Sequence, residues 1–339
     1  GRLAACFLDS CASLALPVIG YGIRYEYGMF NQQIKNGNQV EHPDNWLRHG
    51  NPWEIVAPEK AVRVKFFGNV DVITQKDGTQ YRQWNNTQDV LAVPYDMPIP
   101  GYQNSVVNTL RLWKSEATDE FDLNEFNAGS YTESVARKNL AEQITMVLYP
   151  NDSSENGKEL RLRQQYFLSS SSLQDTINSY VEVYGTNFDK FIELNSFQLN
   201  DTHPSIAVAE LMRILMDDYK VSWDDAWQIT SQTMAYTNHT LLPEALEKWP
   251  VRLFENLLPR ILEIIYEINA RFLQQVAVCW PGDSEKQRAL SLIEEGHESQ
   301  VRMAHLAIVG SYSVNGVAAL HTKLLKAGLF NDFYQLWPE

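Results

Sequence analysis

Cysteine is scarce in this chain of 339 residues, which contains only Cys6, Cys11 and Cys279. These cysteines form no Cys-x-x-Cys pair, so the usual spacing of a zinc site is absent. An odd number of cysteines is also typical of a reducing compartment, where disulfides rarely persist. We therefore expect a cytoplasmic protein without a disulfide framework and without a metal site.

Positive charge is scarce as well. The chain has 28 lysines and arginines against 42 aspartates and glutamates, which gives a net charge of −14. An acidic surface of this kind repels the phosphates of nucleic acids and of anionic membranes. The composition therefore predicts no nucleic-acid partner and no membrane partner.

Long apolar runs and a leader-like start are also missing. The most apolar stretch, residues 257–278, is interrupted by charged residues: Arg260, Glu263, Glu267 and Arg271. The first residues lack the basic segment, apolar run and cleavage site of a signal peptide, so we expect neither a signal peptide nor a transmembrane helix. Because the chain begins with Gly1 and not with methionine, we expect it to be a piece of a longer protein.

Several catalytic motifs do not occur in the sequence. It contains no Gly-x-Gly-x-x-Gly, no P-loop and no Gly-x-Ser-x-Gly. These absences exclude the usual cradles for dinucleotide and nucleoside triphosphate phosphates and the nucleophile elbow of α/β-hydrolases. The residue pattern alone therefore gives no self-sufficient catalytic motif.

The second half of the chain repeats a strand, a polar loop and a helix. The expected strands are residues 197–199, 234–236 and 306–309. Repeated units of this kind predict a parallel sheet with helices on both faces. We therefore expect an α/β fold with a Rossmann-like parallel sheet.

Other elements follow from apolar periodicity, turn residues and caps. In order, they are a packed helix over residues 3–16, a strand at 62–66, a hairpin with strands at 70–74 and 81–84, a helix from the capping box at 130–133 to 147, a polar loop at 151–157, a helix at 160–180 and a helix opened at 243–244.

Polar side chains follow two of the expected strands and are candidates for a binding site. His203 and His239 each come just after a strand, and Asp201 lies two residues before His203. In open parallel sheets, ligands bind beyond the carboxyl ends of the strands. Carboxylate, imidazole and amide groups both donate to and accept from the hydroxyls of a sugar-like ligand. The alternative is that Asp201 and Thr202 only cap a helix and that His203 packs under a loop.

The polar loop at residues 151–157 has two interpretations. It could be a mobile gate that brings Asp152 toward a substrate. The alternative is an ordinary exposed connection between helices.

Several blocks of the chain resemble the glycogen and starch phosphorylases, collinearly and over essentially its whole length. These blocks are GRLAACFLDS (residues 1–10), GYGIRYEYG (20–28), DNWLR (44–48), GNPWE (50–54), VLYPND (147–152), LNDTHP (199–204), YTNHT (236–240) and VNGVA (314–318).

The resemblance implies an α-1,4-glucan phosphorylase, in which inorganic phosphate cleaves glucose from a glycogen or maltodextrin end as glucose 1-phosphate. It implies His239 and Asp152 as catalytic-site residues. It also implies substrate-binding residues, which are Asp201, His203, Arg161, Asn315 and Val317. The implied fold is the amino-terminal half of a two-domain GT-B-type glycosyltransferase, with pyridoxal phosphate as cofactor of the intact enzyme.

By the same resemblance, residues 1–339 correspond to a partial amino-terminal domain, without the domain whose lysine binds pyridoxal phosphate. We therefore expect no cofactor on this chain and no activity of the chain alone. The helix from Ser130 to Val147 resembles one that pairs across the family's homodimer. There are two competing hypotheses. One is a non-catalytic glucan-binding module. The other is a nucleotide-sugar glycosyltransferase, which the LNDTHP and YTNHT blocks disfavour.

Overall fold

A computed structural model describes residues 2–78, 80–118 and 135–339. Its strands are β1 Ile19–Ile23, β2 Asn31–Lys35, β3 Asn38–His42, β4 Ile55–Val56, β5 Val62–Phe66, β6 Asn69–Thr74, β7 Gln80–Asn85, β8 Gln88–Pro100, β9 Val107–Ala117, β10 Phe197–Asn200, β11 Met234–Asn238, β12 Lys248–Pro250, β13 Ile293–Glu294, β14 Gln300–Arg302 and β15 Ser313–Gly316. Its α-helices are α1 Arg2–Ser13, α2 Ala136–Glu142, α3 Glu155–Tyr184, α4 Phe191–Leu194, α5 Ala207–Arg213, α6 Trp223–Thr233, α7 Val251–Leu257, α8 Pro259–Cys279, α9 Ser284–Leu290, α10 Met303–Val309, α11 Ala319–Ala327 and α12 Asn331–Leu336.

The chain divides into two units, each with its own core. The first comprises Gly1–Lys65 and Asp89–Asp175, and the second comprises Phe66–Gln88 and Thr176–Glu339. Helices and sheets occur in both, so the expected α/β class is confirmed. Within the described ranges, no helix combines the length and the apolar character needed to span a bilayer.

The first unit is built on a mixed sheet with strand order β1-β9-β8-β4, and β5 pairs with β8. Strand β1 runs parallel to β9, whereas β8 and β9 form a long antiparallel pair. The expected alternation along β5 is confirmed, because Val62, Val64 and Phe66 are buried. Helix α3 covers this sheet, and the buried Trp113 of β9 donates its indole N–H to Ser172 of that helix at 3.1 Å.

A buried ionic cluster fixes α3 to the same sheet. The side chain of Arg111 is 7 % exposed and makes paired bonds of 2.7 Å to the two oxygens of Asp96. A third guanidinium N–H donates to Asp175 on α3, whose other oxygen accepts the hydroxyl of Tyr21. These bonds hold the pKa of Arg111 above its usual value, despite the opposing effect of burial.

The second unit contains a three-stranded sheet in the order β10-β11-β15. Its strands pair in parallel, with Asn200 opposite Thr237 and Thr237 opposite Asn315. The expected strands at residues 197–199 and 234–236 are confirmed as β10 and β11. The hairpin around Asp77-Gly78 is also confirmed, as β6 and β7.

The third expected strand was wrong. Residues 306–309 belong to helix α10, and the strand that completes the sheet is β15, four residues later. All of Leu306–Val309 are buried, and a short apolar run that is buried on every side has no period that separates helix from strand. Gly310 ends α10 where a Cβ would lie 2.4 Å from a methyl group of Val208, so that α5 can approach closely.

Smaller expectations also need correction. Helix α1 is confirmed but not packed, because Ala12 is its buried residue while Leu3 and Phe7 are exposed. Pro243-Glu244 opens a single 3-10 turn and not a helix. The loop before α3 ends at Ser154, since the helix begins at Glu155. The capping box at residues 130–133 lies outside the described residues. The helix expected to reach residue 147 ends as α2 at Glu142, and a 3-10 turn follows at Gln143–Thr145.

A largely buried histidine, His305, ties α9, α10 and α12 together in the second unit. Nδ1 of His305 lies 3.2 Å from the carbonyl oxygen of Leu290 and 3.1 Å from that of Ser291, so it carries a proton and donates it. The ring packs edge-on against Phe333. Burial, reinforced by the nearby charge of Arg302, lowers the pKa of His305 to about 4. The folded chain therefore holds this imidazole neutral near pH 7.

Candidate functional site

The carboxyl ends of β10, β11 and β15 bring together most of the side chains that the sequence singles out. Asp201 follows β10 directly, His239 follows β11 and Val317 follows β15. The parallel register places these positions along one edge of the sheet, because Asn200 pairs with Thr237 and Asn238 pairs with Gly316. We call the residues at these strand ends the strand-end cluster: Asp201, His203, His239, Asn315 and Val317.

The hydroxyl of Thr237 links the three strands of the sheet. It accepts a bond of 2.8 Å from the side-chain amide of Gln198 and donates one of 3.1 Å to Oδ1 of Asn315. The Asn315 amide nitrogen donates in turn to the carbonyl of Gly316 at 2.9 Å. These bonds fix which way the exposed Asn315 amide points, and so which of its groups can meet a ligand.

Asp201 combines backbone strain with an unpaired acceptor. Its φ of 68° lies in the left-handed region, and its N–H donates to the carbonyl of Thr237 at 2.9 Å. Its carboxylate oxygen Oδ1 is buried without a hydrogen-bond partner among the described residues. Strained backbone and unpaired buried polar atoms both cost free energy, and both are enriched where a ligand completes the site.

Neither Asp201 nor Thr202 caps a helix, which removes one of the alternatives for this segment. The next helix begins at Ala207 without a side-chain cap. The hydroxyl of Thr202 donates instead to Oε2 of Glu247 at 2.8 Å. His203 is not packed away, since its side chain is 41 % exposed and its Nε2 lies 4.0 Å from Oε1 of Glu247.

His239 follows a rigidly held asparagine. The buried Asn238 accepts the N–H of Thr240 at 3.0 Å and donates to the Tyr236 hydroxyl at 3.1 Å. Burial raises the pKa of Tyr236, so the phenol stays protonated. Nε2 of the half-buried His239 ring is itself buried and has no hydrogen-bond partner within the described part of the chain. It is therefore available to a ligand hydroxyl.

Asp152 and Arg161, the other two singled-out residues, meet in the first unit. The Arg161 guanidinium donates to Oδ2 of Asp152. The Asp152 side chain is 50 % exposed, whereas that of Arg161 is 22 % exposed. Arg161 also lies close to Tyr25, whose pKa burial raises to about 12 although the arginine opposes this shift. The Asp152 carboxylate is thus held by a cation at the start of α3.

The turn before α3 depends on a glycine. Ser154 accepts the Gly157 N–H at 3.2 Å, as an N-cap residue does. A Cβ at position 157 would lie 1.8 Å from the carbonyl oxygen of Asn151, which is too close for any side chain.

Gly157→Ala is therefore expected to displace the Asn151–Asp152 backbone and to destabilise the first unit by about 1–3 kcal/mol. Urea unfolding monitored by tryptophan fluorescence measures the change. Gly296→Ala is the matched control, since open space surrounds that glycine, and it should change stability by less than about 0.5 kcal/mol. Equal stability of the two variants would contradict the expectation.

A search against protein-family models places the whole chain in one family, because the model for carbohydrate phosphorylases matches residues 1–339. The chain belongs to the carbohydrate phosphorylase family. It is 54 % identical to the muscle form of glycogen phosphorylase from Ovis aries and to that from Homo sapiens. It has the same identity to the brain form from Homo sapiens. The resemblance found in the sequence is thus confirmed.

The match to these phosphorylases covers all of this chain but only part of theirs. In each case it spans 100 % of the chain and 40 % of the relative's length.

One further residue of this carbohydrate phosphorylase lies at the strand-end cluster and was not predicted from the sequence. Glu247 bonds Thr202 and lies near His203, and its side chain is largely buried. It is 46 residues from Asp201 along the chain and outside every recognised motif. No local pattern could have identified it, because only the tertiary fold brings it to the strand ends.

The cofactor that the resemblance implies does not fit this cluster. Residues 197–204, 236–247 and 313–322 contain no lysine or arginine. The buried, unpaired atom of Asp201 is a carboxylate oxygen, which would repel a phosphate group. Among the described residues, no group of three or more histidines, cysteines, aspartates and glutamates could hold a metal ion. These segments therefore offer polar groups for the hydroxyls of a sugar and supply no cation for a phosphate group.

Proposed function

We propose that this chain is the sugar-binding amino-terminal part of an α-1,4-glucan phosphorylase. That enzyme transfers the terminal glucose of glycogen or maltodextrin to inorganic phosphate and releases glucose 1-phosphate with retained configuration. The observation that carries the proposal is the strand-end cluster, where Asp201 and His239 keep buried polar atoms that no described residue bonds. The family match over the whole chain supports the same reaction class.

The proposed roles follow from the groups that each residue offers. His239 would hydrogen-bond the glucose 6-hydroxyl through its unpaired Nε2, with its main-chain carbonyl toward the developing oxocarbenium centre. Asp201 and His203 would line the pocket on the anomeric β side, and Asn315 and Val317 would line the sugar pocket. Preorganised polar groups of this kind stabilise developing charge without reorganising during the reaction.

Asp152 would act from the loop before α3, and Arg161 from the second turn of that helix. In the structure their ion pair holds the Asp152 carboxylate at the helix start. We propose that this loop is a mobile gate and that Arg161 sets the resting position of Asp152.

We propose further that the intact enzyme is a cytoplasmic homodimer with a GT-B-type fold, in which the parallel sheet β10-β11-β15 belongs to a Rossmann-like domain. Pyridoxal phosphate would bind to residues outside this chain, because the strand-end cluster lacks cations for its phosphate group. The relatives extend well beyond the matched region, which leaves room for such a cofactor domain.

Calorimetric titration of the 339-residue chain with maltoheptaose tests the binding part of this proposal. The wild-type chain is expected to bind, and His239→Ala should weaken binding about tenfold, the value of one lost hydrogen bond of about 1.4 kcal/mol. His49→Ala changes an exposed histidine of the first unit and should bind like wild type. Absence of binding by the wild-type chain would overturn the proposal.

A phosphorolysis assay separates a part of an enzyme from a glucan-binding module. The chain alone, with maltoheptaose, phosphate and pyridoxal phosphate, should release no glucose 1-phosphate. The same chain extended at both ends, through the reading frame before Gly1 and after Glu339 to the length of its relatives, should release it. Release by the chain alone would contradict the dependence on a second domain, and a stop codon directly after Glu339 would favour the binding module.

A further inference from the structure

His321 connects two segments of the strand-end cluster. It occupies the third position of α11, just beyond β15. Its Nδ1 lies 3.3 Å from the main-chain nitrogen of Val317, and its Nε2 lies 3.2 Å from Oδ1 of Asn238. One imidazole therefore contacts the residue after β15 and the last residue of β11.

The two partners determine the tautomer of the ring. The main-chain N–H of Val317 can only donate, so Nδ1 of His321 must accept. The ring proton therefore sits on Nε2 and is donated to Oδ1 of Asn238. The Asn238 oxygen also accepts the Thr240 N–H, and its nitrogen donates to the Tyr236 hydroxyl. These bonds fix the tautomer of the ring and the orientation of the amide together.

The turn between β15 and α11 is shaped to receive this ring. Thr322, the next residue, accepts the N–H of Gly316 at 3.0 Å. A Cβ at Gly316 would lie 3.0 Å from Cγ of His321 and equally close to the main-chain nitrogen of Thr322. A side chain at position 316 would therefore press against the imidazole and the backbone of α11, and glycine avoids this contact.

We propose that His321 is a positioning residue of the sugar site, a role that rests on the proposed function. It holds the segment that presents His239 and the segment that presents Asn315 and Val317 in one fixed arrangement. Its own nitrogens are both occupied by protein groups, so it acts through these residues and not by touching the sugar. Small displacements of groups that orient a substrate weaken binding and catalysis strongly.

Substitutions at position 321 test this role by calorimetric titration with maltoheptaose. His321→Ala is expected to weaken binding about tenfold. His321→Asn keeps an acceptor for the Val317 N–H and His321→Gln keeps a donor for Asn238, so each should recover part of the lost affinity. A residue that only stabilises the fold would show no such recovery at temperatures where all variants are folded. His49→Ala again serves as the unaffected control.

A substitution at Gly316 displaces the His321 imidazole without changing its chemical groups. Gly316→Ala forces the imidazole away from the backbone and should weaken maltoheptaose binding to a similar extent. Hydrogen exchange of the peptide that contains Val317 should be faster in His321→Ala and in Gly316→Ala than in wild type.

The outcomes separate the two proposals. If the wild-type chain binds maltoheptaose and His239→Ala weakens it, but the variants at 321 and 316 bind like wild type, the positioning role is wrong and the proposed function stands. If the wild-type chain does not bind, the proposed function fails and the role of His321 in it fails as well.

Discussion

Arg111→Met is expected to lower the free energy of unfolding by about 3–5 kcal/mol, the largest effect of a single substitution that we anticipate in the first unit. Arg111 lies between Asp96 and Asp175, and both carboxylates depend on its charge. Removal of the guanidinium leaves two negative charges close together. Asp175 is buried, and within the described ranges the Tyr21 hydroxyl is then its remaining partner. An uncompensated buried charge costs more than the lost attraction alone.

Urea unfolding at pH 7 followed by tryptophan fluorescence gives this difference. Arg271→Met is the matched control, because Arg271 also bonds two carboxylates but about half of its side chain is exposed. Exposed pairs contribute about 0–1 kcal/mol, so the control should lose little stability. A loss at Arg111 no larger than that at Arg271 would show that the buried cluster is not needed for stability.

The second large effect is a loss of stability in mild acid that depends on His305. Its pKa is about 4 in the folded chain, below the usual 6.5. Above pH 6.5 the imidazole is neutral in both the folded and the unfolded chain, so its contribution to stability is complete. Between pH 6.5 and 4 the unfolded chain takes up a proton that the folded chain does not, and stability falls by about 3 kcal/mol. Below pH 4 this contribution falls no further.

The measurement compares the pH dependence of unfolding in wild type and His305→Asn. The asparagine keeps a donor near the carbonyls of Leu290 and Ser291 but does not titrate. The difference in unfolding free energy between the two proteins should therefore shrink steadily from pH 7 to pH 4. His297→Asn, at an exposed position, should follow the wild-type profile. Parallel curves for wild type and His305→Asn would rule out the buried neutral histidine as the cause.

The parts of the fold that the sequence predicts correctly are those whose signal is local. The alternation of Val62, Val64 and Phe66 reports one buried face of a strand, and the structure buries all three. The Asp77-Gly78 pair specifies a tight turn through glycine at φ 86°. The two strands before Asn200 and Asn238 are short apolar runs, each followed directly by polar residues.

The strand wrongly predicted at residues 306–309 shows a segment whose secondary structure local sequence patterns do not determine. Its residues are buried whether they form a helix or a strand, so composition favours neither. The actual strand β15 has exposed residues at Ser313, Val314 and Asn315, and it joins the sheet through its pairing with β11. That pairing is a tertiary property which no window of the sequence contains.

Some residues of the candidate site were likewise predicted from the sequence, and others were found only in the structure. The strand-end positions of Asp201 and His239 follow from the general behaviour of parallel sheets. The polar loop at residues 151–157 suggested Asp152, and the resemblance supplied Arg161, Asn315 and Val317. Glu247 and His321 enter only through bonds between residues far apart in the chain, such as the contact of His321 with Asn238, 83 positions away. Their types are common on protein surfaces, and so nothing in the sequence marks them.

The sheet β10-β11-β15 separates the residues proposed to contact a ligand from the residues of the core. Asp201, His239 and Val317 each lie just after a strand, whereas buried residues such as Leu199, Tyr236 and Gly316 lie within the strands. Under the proposed function, substitutions at positions 201, 239 and 317 would therefore alter recognition without repacking the interior. Such a layout lets selection, or a designer, shift ligand preference in single steps while the scaffold retains its stability.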